Sequence, residues 1–136
     1  MDAPTSALLT DHYELTMVAS ALESGVADRR AVFEVFARRL PKGRAYGVVA
    51  GIDRLLDAVS RFHFDDATVQ HLIDSGVVVE GEMTDWLRAY RFSGDITGYA
   101  EGELFFPYSP VLTVTGTFAE CVVLETMKLI RNTINV

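Results

Sequence analysis

Ala31-Val32-Phe33-Glu34-Val35-Phe36-Ala37 decides the fold class of this chain. β-branched and aromatic side chains fill the stretch, which is the composition of a strand. Only Glu34 interrupts its apolar character, so the pattern predicts a largely buried strand. On its N-terminal side, Leu15, Val18, Ala19 and Leu22 recur at the spacing of one helix face. Asp11 is placed to cap that helix, with Glu14 three residues on as its capping-box partner and Gly25 as the stop. On the C-terminal side, Pro41-Lys42-Gly43-Arg44 forms a loop. Val48, Val49, Ile52, Leu55, Leu56 and Val59 then repeat at helical spacing, with Asp53, Arg54 and Asp57 on the polar side. Gly51 falls inside that pattern and reads as a point of close helix packing.

Further along, residues 65–73 predict a short helix with an acidic start, which suits the helix dipole, ended by Gly76. Residues 84–90 predict another, carrying the single tryptophan, Trp86. Thr97-Gly98-Tyr99-Ala100 reads as a strand, broken by Glu101-Gly102-Glu103 and resumed at Leu104-Phe105-Phe106. Pro107 and Pro110 mark turns, and Val111-Leu112-Thr113-Val114-Thr115 is a further strand. Residues 118–136 read as one long helix, apolar around nearly its whole circumference and therefore buried on all sides. No glycine or proline stops it, so the natural polypeptide is expected to continue. The class is α+β: helices packed on a small, mostly antiparallel sheet.

The length of 136 residues predicts one compact domain. A hydrophobic fraction of 49% and a mean hydropathy of +0.19 are high for a small soluble monomer, so some apolar surface is expected to be buried against another domain or subunit. No apolar run reaches bilayer length, and Met1-Asp2-Ala3-Pro4 has no signal-peptide character. The single cysteine, Cys121, excludes an internal disulfide and reads as a buried small hydrophobe. These features predict a cytoplasmic protein without a membrane partner. A net charge of -7 argues against nucleic-acid binding. Yet Arg29, Arg30, Arg38, Arg39, Lys42 and Arg44 supply 6 of the 12 basic residues within a short span. Such a segment is either a focused anion site or a solvated strand edge and loop, and the residues alone leave both open. There is no Walker loop, no dinucleotide fingerprint, no zinc spacing, and no defensible triad among the three histidines.

Five blocks in order carry a family resemblance. Thr10-Asp11-His12-Tyr13-Glu14-Leu15-Thr16-Met17 is similar to the opening Thr-Asp-x-Tyr-x-x-Thr-Met motif of nicotinate phosphoribosyltransferases. Phe33 through Pro41, with Arg38-Arg39, resembles their next block, an apolar strand ending in Arg-Arg and proline. Tyr46 through Leu56, then Glu101-Gly102-Glu103 with the proline turns, then Val111–Gly116 and Leu124-Glu125-Thr126 match later blocks. The resemblance runs from about residue 8 to about residue 130. It implies an N-terminal α+β domain over residues 1–116 and a helix over 117–136 that leads into an irregular α/β barrel. The family's catalytic histidine and main ribose-phosphate loops would lie beyond Val136, leaving no catalytic residue and no metal ligand in this chain.

The resemblance also implies roles. Tyr13 would stack on the pyridine ring in the active site of a neighbouring subunit, so the active enzyme would be a homodimer with shared sites. Asp11 would shape that pocket while serving as the N-cap. Arg38 would reach the phosphates of the substrate or of ATP, with Arg39 as a second candidate. If the strand runs through both arginines they face opposite ways, a constraint that lapses if it ends by Ala37. The substrates would be nicotinic acid and phosphoribosyl pyrophosphate, with Mg2+ as cofactor and ATP as cosubstrate. Two other readings compete: a non-catalytic domain docking through an apolar face, and a relative acting on nicotinamide or quinolinic acid.

Overall fold

The computed structural model describes residues 5–126. A short 3-10 turn (Ala7–Leu9) precedes α1 (His12–Glu23). There follow β1 (Arg30–Val35), β2 (Gly47–Val48), α2 (Ile52–Ser60), α3 (Asp66–Asp74) and α4 (Glu82–Ala89). The chain continues through β3 (Asp95–Gly98), β4 (Leu104–Phe105), β5 (Leu112–Thr117) and α5 (Phe118–Val122). Both sheets are antiparallel: one has the order β1-β5-β3, and β2 pairs with β4 in the other. The architecture is the α+β arrangement that the sequence pattern predicts.

Period-two alternation sets the register of the larger sheet. Phe33 lies opposite Val114, and Ile96 lies opposite Val114 from the other side. Val35, Leu112 and Val114 are buried on this inner face; α5 packs on β1 and β5, and α1 packs in turn on α5. The Phe33 and Phe118 rings meet at 6.3 Å. The opposite face departs from the sequence expectation of a largely buried strand. Arg30, Val32 and Glu34 are exposed, Val32 by 59%, beside Thr113 and Thr115 of β5 and Asp95 and Thr97 of β3. Helix α5 lies on one side of the sheet, and Arg30, Val32 and Glu34 leave the other exposed among the described residues. Apolar composition on both faces of a strand does not by itself supply a second covering layer.

Two helix boundaries also differ. The apolar repeat from Val48 to Val59 is not one helix: Val48 is in β2, and α2 begins at Ile52. Gly51 is its N-cap, with φ +96°, a left-handed conformation that glycine adopts without strain. It is therefore a start, not a packing point inside a helix. The Glu101 carboxylate, from the turn before β4, accepts from Gly51 N–H at 2.8 and 3.0 Å and from Ile52 N–H at 3.0 Å. A negative group on the first free amides of a helix contributes about 1 kcal/mol. The other change lies at the C-terminal side. Thr117 caps α5 through a capping box with Glu120, and α5 gives way to a turn at Val123–Leu124, so the helix expected from Phe118 onward is interrupted. Residues 127–136 of that expected helix lie outside the described residues. In its described part, Cys121, Val122, Val123 and Leu124 are all 0% exposed, as the pattern predicts, and Phe118 is partly buried.

A second part of the core is aromatic. Phe62, Phe64, Trp86 and Tyr90 meet at centroid distances of 5.3 to 5.9 Å. Tyr90 is 3% exposed, and its hydroxyl donates to the Glu120 carbonyl at 3.2 Å. Burial, then the nearby Glu120 and Cys121, push the Tyr90 phenol far above its ordinary value of 10.0. A raised phenol pKa means that the folded state retains a proton the unfolded state releases. The stability this represents is full below about pH 10 and is lost as pH climbs higher. Ultraviolet titration is expected to show one of the five tyrosines failing to ionise until the chain unfolds in alkali. Ionisation of all five in a single step near pH 10 with the fold intact would contradict this burial.

Candidate functional site

Tyr13 sits in the first turn of α1, one residue past the start of the helix at His12. Asp11 caps the turn: its Oδ1 accepts from Glu14 N–H at 2.9 Å, and Glu14 Oε2 accepts from Asp11 N–H at 3.2 Å. The reciprocal pair fixes the backbone on both sides of Tyr13. The Tyr13 ring itself is 69% exposed, so it is not a core residue at the helix start.

Glu14 is only 2% exposed. Besides Asp11 N–H, its Oε2 accepts from the Thr10 hydroxyl. Its Oε1 accepts from Thr126 N–H at 2.5 Å and lies 2.7 Å from Thr126 Oγ1. Thr126 Oγ1 is also 3.0 Å from Asp11 Oδ2. The first turn of α1 is thus tied to the far end of the described chain. Sequence reasoning read Glu14 as a capping partner but missed Thr126, because nothing local in a sequence signals a contact 112 residues away.

Arg38 and Arg39 follow β1, which ends at Val35, so the requirement that they face opposite ways lapses. Both are exposed, as are Arg29, Arg30, Lys42 and Arg44. Among the described residues none of these six cations enters an ion pair; the ion pairs present join Arg61 to Asp57, and Arg88 to Asp66 and Asp85. The segment is anchored just before Arg38, where Tyr108 N–H donates to the Ala37 carbonyl at 2.8 Å. Tyr108 has φ +66°, and its ring lies 6.0 Å from that of Phe36.

The site residues therefore form two groups. The structure joins Asp11 to the turn that carries Tyr13, but among the described residues no hydrogen bond, ion pair or ring contact links either to Arg38 or Arg39. None of the four lines either of two grooves on the described surface. One, of about 310 Å³, lies along α1 between Met17, Ala21 and Phe118. The other, of about 280 Å³, lies between Arg30, Asp95 and Glu120. No cluster of three or more histidine, cysteine or acidic residues that could hold a metal ion is present among the described residues. Among the same residues, no helix is long and apolar enough to cross a membrane. The described surface thus offers an exposed aromatic ring on a rigid turn and a cationic segment without ion pairs among the described residues.

Residues 8–135 match the family model described as the nicotinate phosphoribosyltransferase (NAPRTase) N-terminal domain. The chain belongs to this family. A nicotinate phosphoribosyltransferase of Mycobacterium tuberculosis, pncB1, is 58% identical over 122 residues, covering 90% of this chain and 27% of the relative. The enzyme of that name from Bacillus subtilis is 31% identical over 90% of this chain and 25% of its own length. The NAPRTase domain thus spans about a quarter of the length of the curated relatives it matches. The crystal structure of human nicotinic acid phosphoribosyltransferase superposes with a TM-score of 0.81 at 32% identity, over 90% of this chain and 25% of that one. The nicotinate-nucleotide pyrophosphorylase from Pyrococcus furiosus superposes with a TM-score of 0.66 at 18% identity, over 93% of this chain and 25% of that one, and shares the fold.

Proposed function

We propose that this NAPRTase N-terminal domain serves a nicotinate phosphoribosyltransferase, in which it lends an aromatic ring and a cation to a pocket completed by other residues. The reaction joins the ring nitrogen of nicotinic acid to the ribose carbon of phosphoribosyl pyrophosphate. The carbon–oxygen bond to pyrophosphate breaks, pyrophosphate departs with the electron pair, and nicotinate mononucleotide remains. ATP is the cosubstrate whose hydrolysis is coupled to this transfer. The first turn of α1 supports this reading most directly: it holds the Tyr13 ring out to solvent from a backbone locked by Asp11 and Glu14. A flat ring held in this way stacks on a flat heteroaromatic acid and orients its nitrogen for attack. Asp11 shapes the same edge of the pocket.

Arg38, with Arg39 beside it, binds phosphate oxygens of the sugar substrate or of ATP, because a planar guanidinium presents paired donors to a phosphate. Among the described residues neither enters an ion pair, which leaves that charge available. Magnesium belongs to the reaction through the charge of the leaving group. The described residues supply no ligand cluster for it, and no step assigned to this domain runs through it. Tyr13 serves the site of a second subunit in a homodimer, an α/β barrel completes that site, and the enzyme works in the cytoplasm.

The test is formation of nicotinate mononucleotide. A polypeptide of its relatives' length carrying this domain is expected to turn over nicotinate in preference to nicotinamide, and the chain by itself is expected to give no turnover. Turnover by the chain alone would overturn the composite pocket, and a preference for nicotinamide would overturn the assigned substrate.

A further inference from the structure

A charged carboxylate is costly to bury unless its lone pairs are filled. Glu14 is buried without a cationic partner among the described residues, and four donors surround it. Two are local: the Thr10 hydroxyl and Asp11 N–H, both on Oε2. The other two, the amide and hydroxyl of Thr126, meet Oε1. A capping box needs only the local half. The remote half ties the turn that carries Tyr13 to the segment following α5. Thr126 Oγ1 has one proton and two carboxylates in reach, Glu14 at 2.7 Å and Asp11 at 3.0 Å. Its hydroxyl donates to one or the other of the two residues that flank His12 and Tyr13 in the chain, and the Thr126 amide holds Glu14 in either case.

The geometry points to Glu14 and Thr126 as positioning residues for Tyr13: a buried latch that sets where the exposed ring stands relative to the rest of the domain. Its physical content concerns the ring alone, whereas its kinetic consequence rests on the proposed stacking of Tyr13 on the pyridine. Glu14 and Thr126 touch no substrate in this account. They act through the backbone of the first turn, and the ring follows because its Cα–Cβ direction is fixed by that backbone.

The first measurement needs no catalysis. With 3-fluorotyrosine at position 13 of the chain, Thr126→Val is expected to shift or broaden the Tyr13 fluorine resonance, and Thr126→Ser to restore it. A fluorine label at Tyr90 in the aromatic core should stay unchanged in both. Should Thr126→Val also disturb the Tyr90 signal, Thr10→Val with Thr10→Ser, which remove and restore a donor on the other oxygen of Glu14, are read in the same way. An unmoved Tyr13 resonance in a folded variant overturns the latch.

The second measurement is kinetic, in a polypeptide of its relatives' length carrying the domain. Thr126→Val is expected to raise the KM for nicotinate roughly tenfold, as misplacement of a positioning group does, with the KM for phosphoribosyl pyrophosphate unchanged. In a Tyr13→Ala background the same change should have no further effect on nicotinate. Additive effects in that cycle overturn the kinetic role of the latch. If Tyr13→Ala alone leaves nicotinate kinetics untouched while the fluorine result stands, the stacking proposal fails and the latch survives.

Discussion

Tyr13→Ala, made in a polypeptide of its relatives' length, is expected to raise the KM for nicotinate roughly ten- to a hundredfold while leaving the domain folded. The magnitude comes from removing an aromatic platform, about 1–3 kcal/mol when a flat heterocycle stacks on it. The intact fold follows from the position: the ring is 69% exposed, and the capping bonds around it use backbone and carboxylate atoms that alanine leaves in place. Exposed substitutions of this kind change stability by less than about 0.5 kcal/mol. Tyr13→Phe keeps the π-face and is expected to retain most of the affinity. Steady-state kinetics with nicotinate varied, alongside a thermal melt, separates the two effects. Unchanged KM and kcat in a folded Tyr13→Ala protein would remove Tyr13 from the site.

Phe105→Ala is expected to be the most damaging single change to stability, lowering the free energy of unfolding by about 3–5 kcal/mol. Phe105 is the largest of the fully buried side chains, at 0% exposure, and is the residue of β4 that lies opposite Gly47. The packing leaves no room: a Cβ built on Gly47 would fall 2.2 Å from the Phe105 ring. The ring thus occupies the space that a side chain on β2 would fill, and truncating it opens a cavity that neither strand can close. Against a typical total of about 5–15 kcal/mol, the loss takes up a large part of the stability. Urea unfolding followed by circular dichroism measures it. A cost below about 1 kcal/mol would mean that β2 and β4 collapse onto the gap, and that the pair contributes little.

Local signals in the sequence were sufficient for the elements whose chemistry is local. The Asp11–Glu14 capping box, the acid-capped α3 and the glycine stops at Gly25 and Gly76 are all decided within a few residues. The residues alone leave open whether β1 runs through Arg38 and Arg39, and in the structure the strand ends at Val35. The errors arose where a distant residue set the outcome. Val48 and Val49 continue the helical repeat of α2, but pairing with Leu104 draws Val48 into a strand, and Val49 N–H donates to the Glu103 carbonyl. Glu101 then caps the helix from fifty positions away. Likewise, Val32 resembles a core residue by type, and only the absence of a second layer makes it surface. Of the site, the sequence indicated which residues carry suitable chemistry, whereas the attachment of Tyr13 through Glu14 to Thr126 required coordinates.

The strand order β1-β5-β3 places the strand of this sheet that is synthesised after the other two between them. While a ribosome is still making residues 36–111, β1 has no neighbour, and β3 later emerges with none either. Their hydrogen-bonding edges stay open until β5 inserts between them, a pairing that joins Arg30 to Thr117. Closure across so long an interval is slow compared with local helix formation. Nascent chains that have passed Gly98 but not reached Leu112 therefore present two strands without their partner, one bearing the exposed Val32, and such edges recruit other chains. Polypeptides interrupted before Leu112 are expected to aggregate more readily than those that include Thr117.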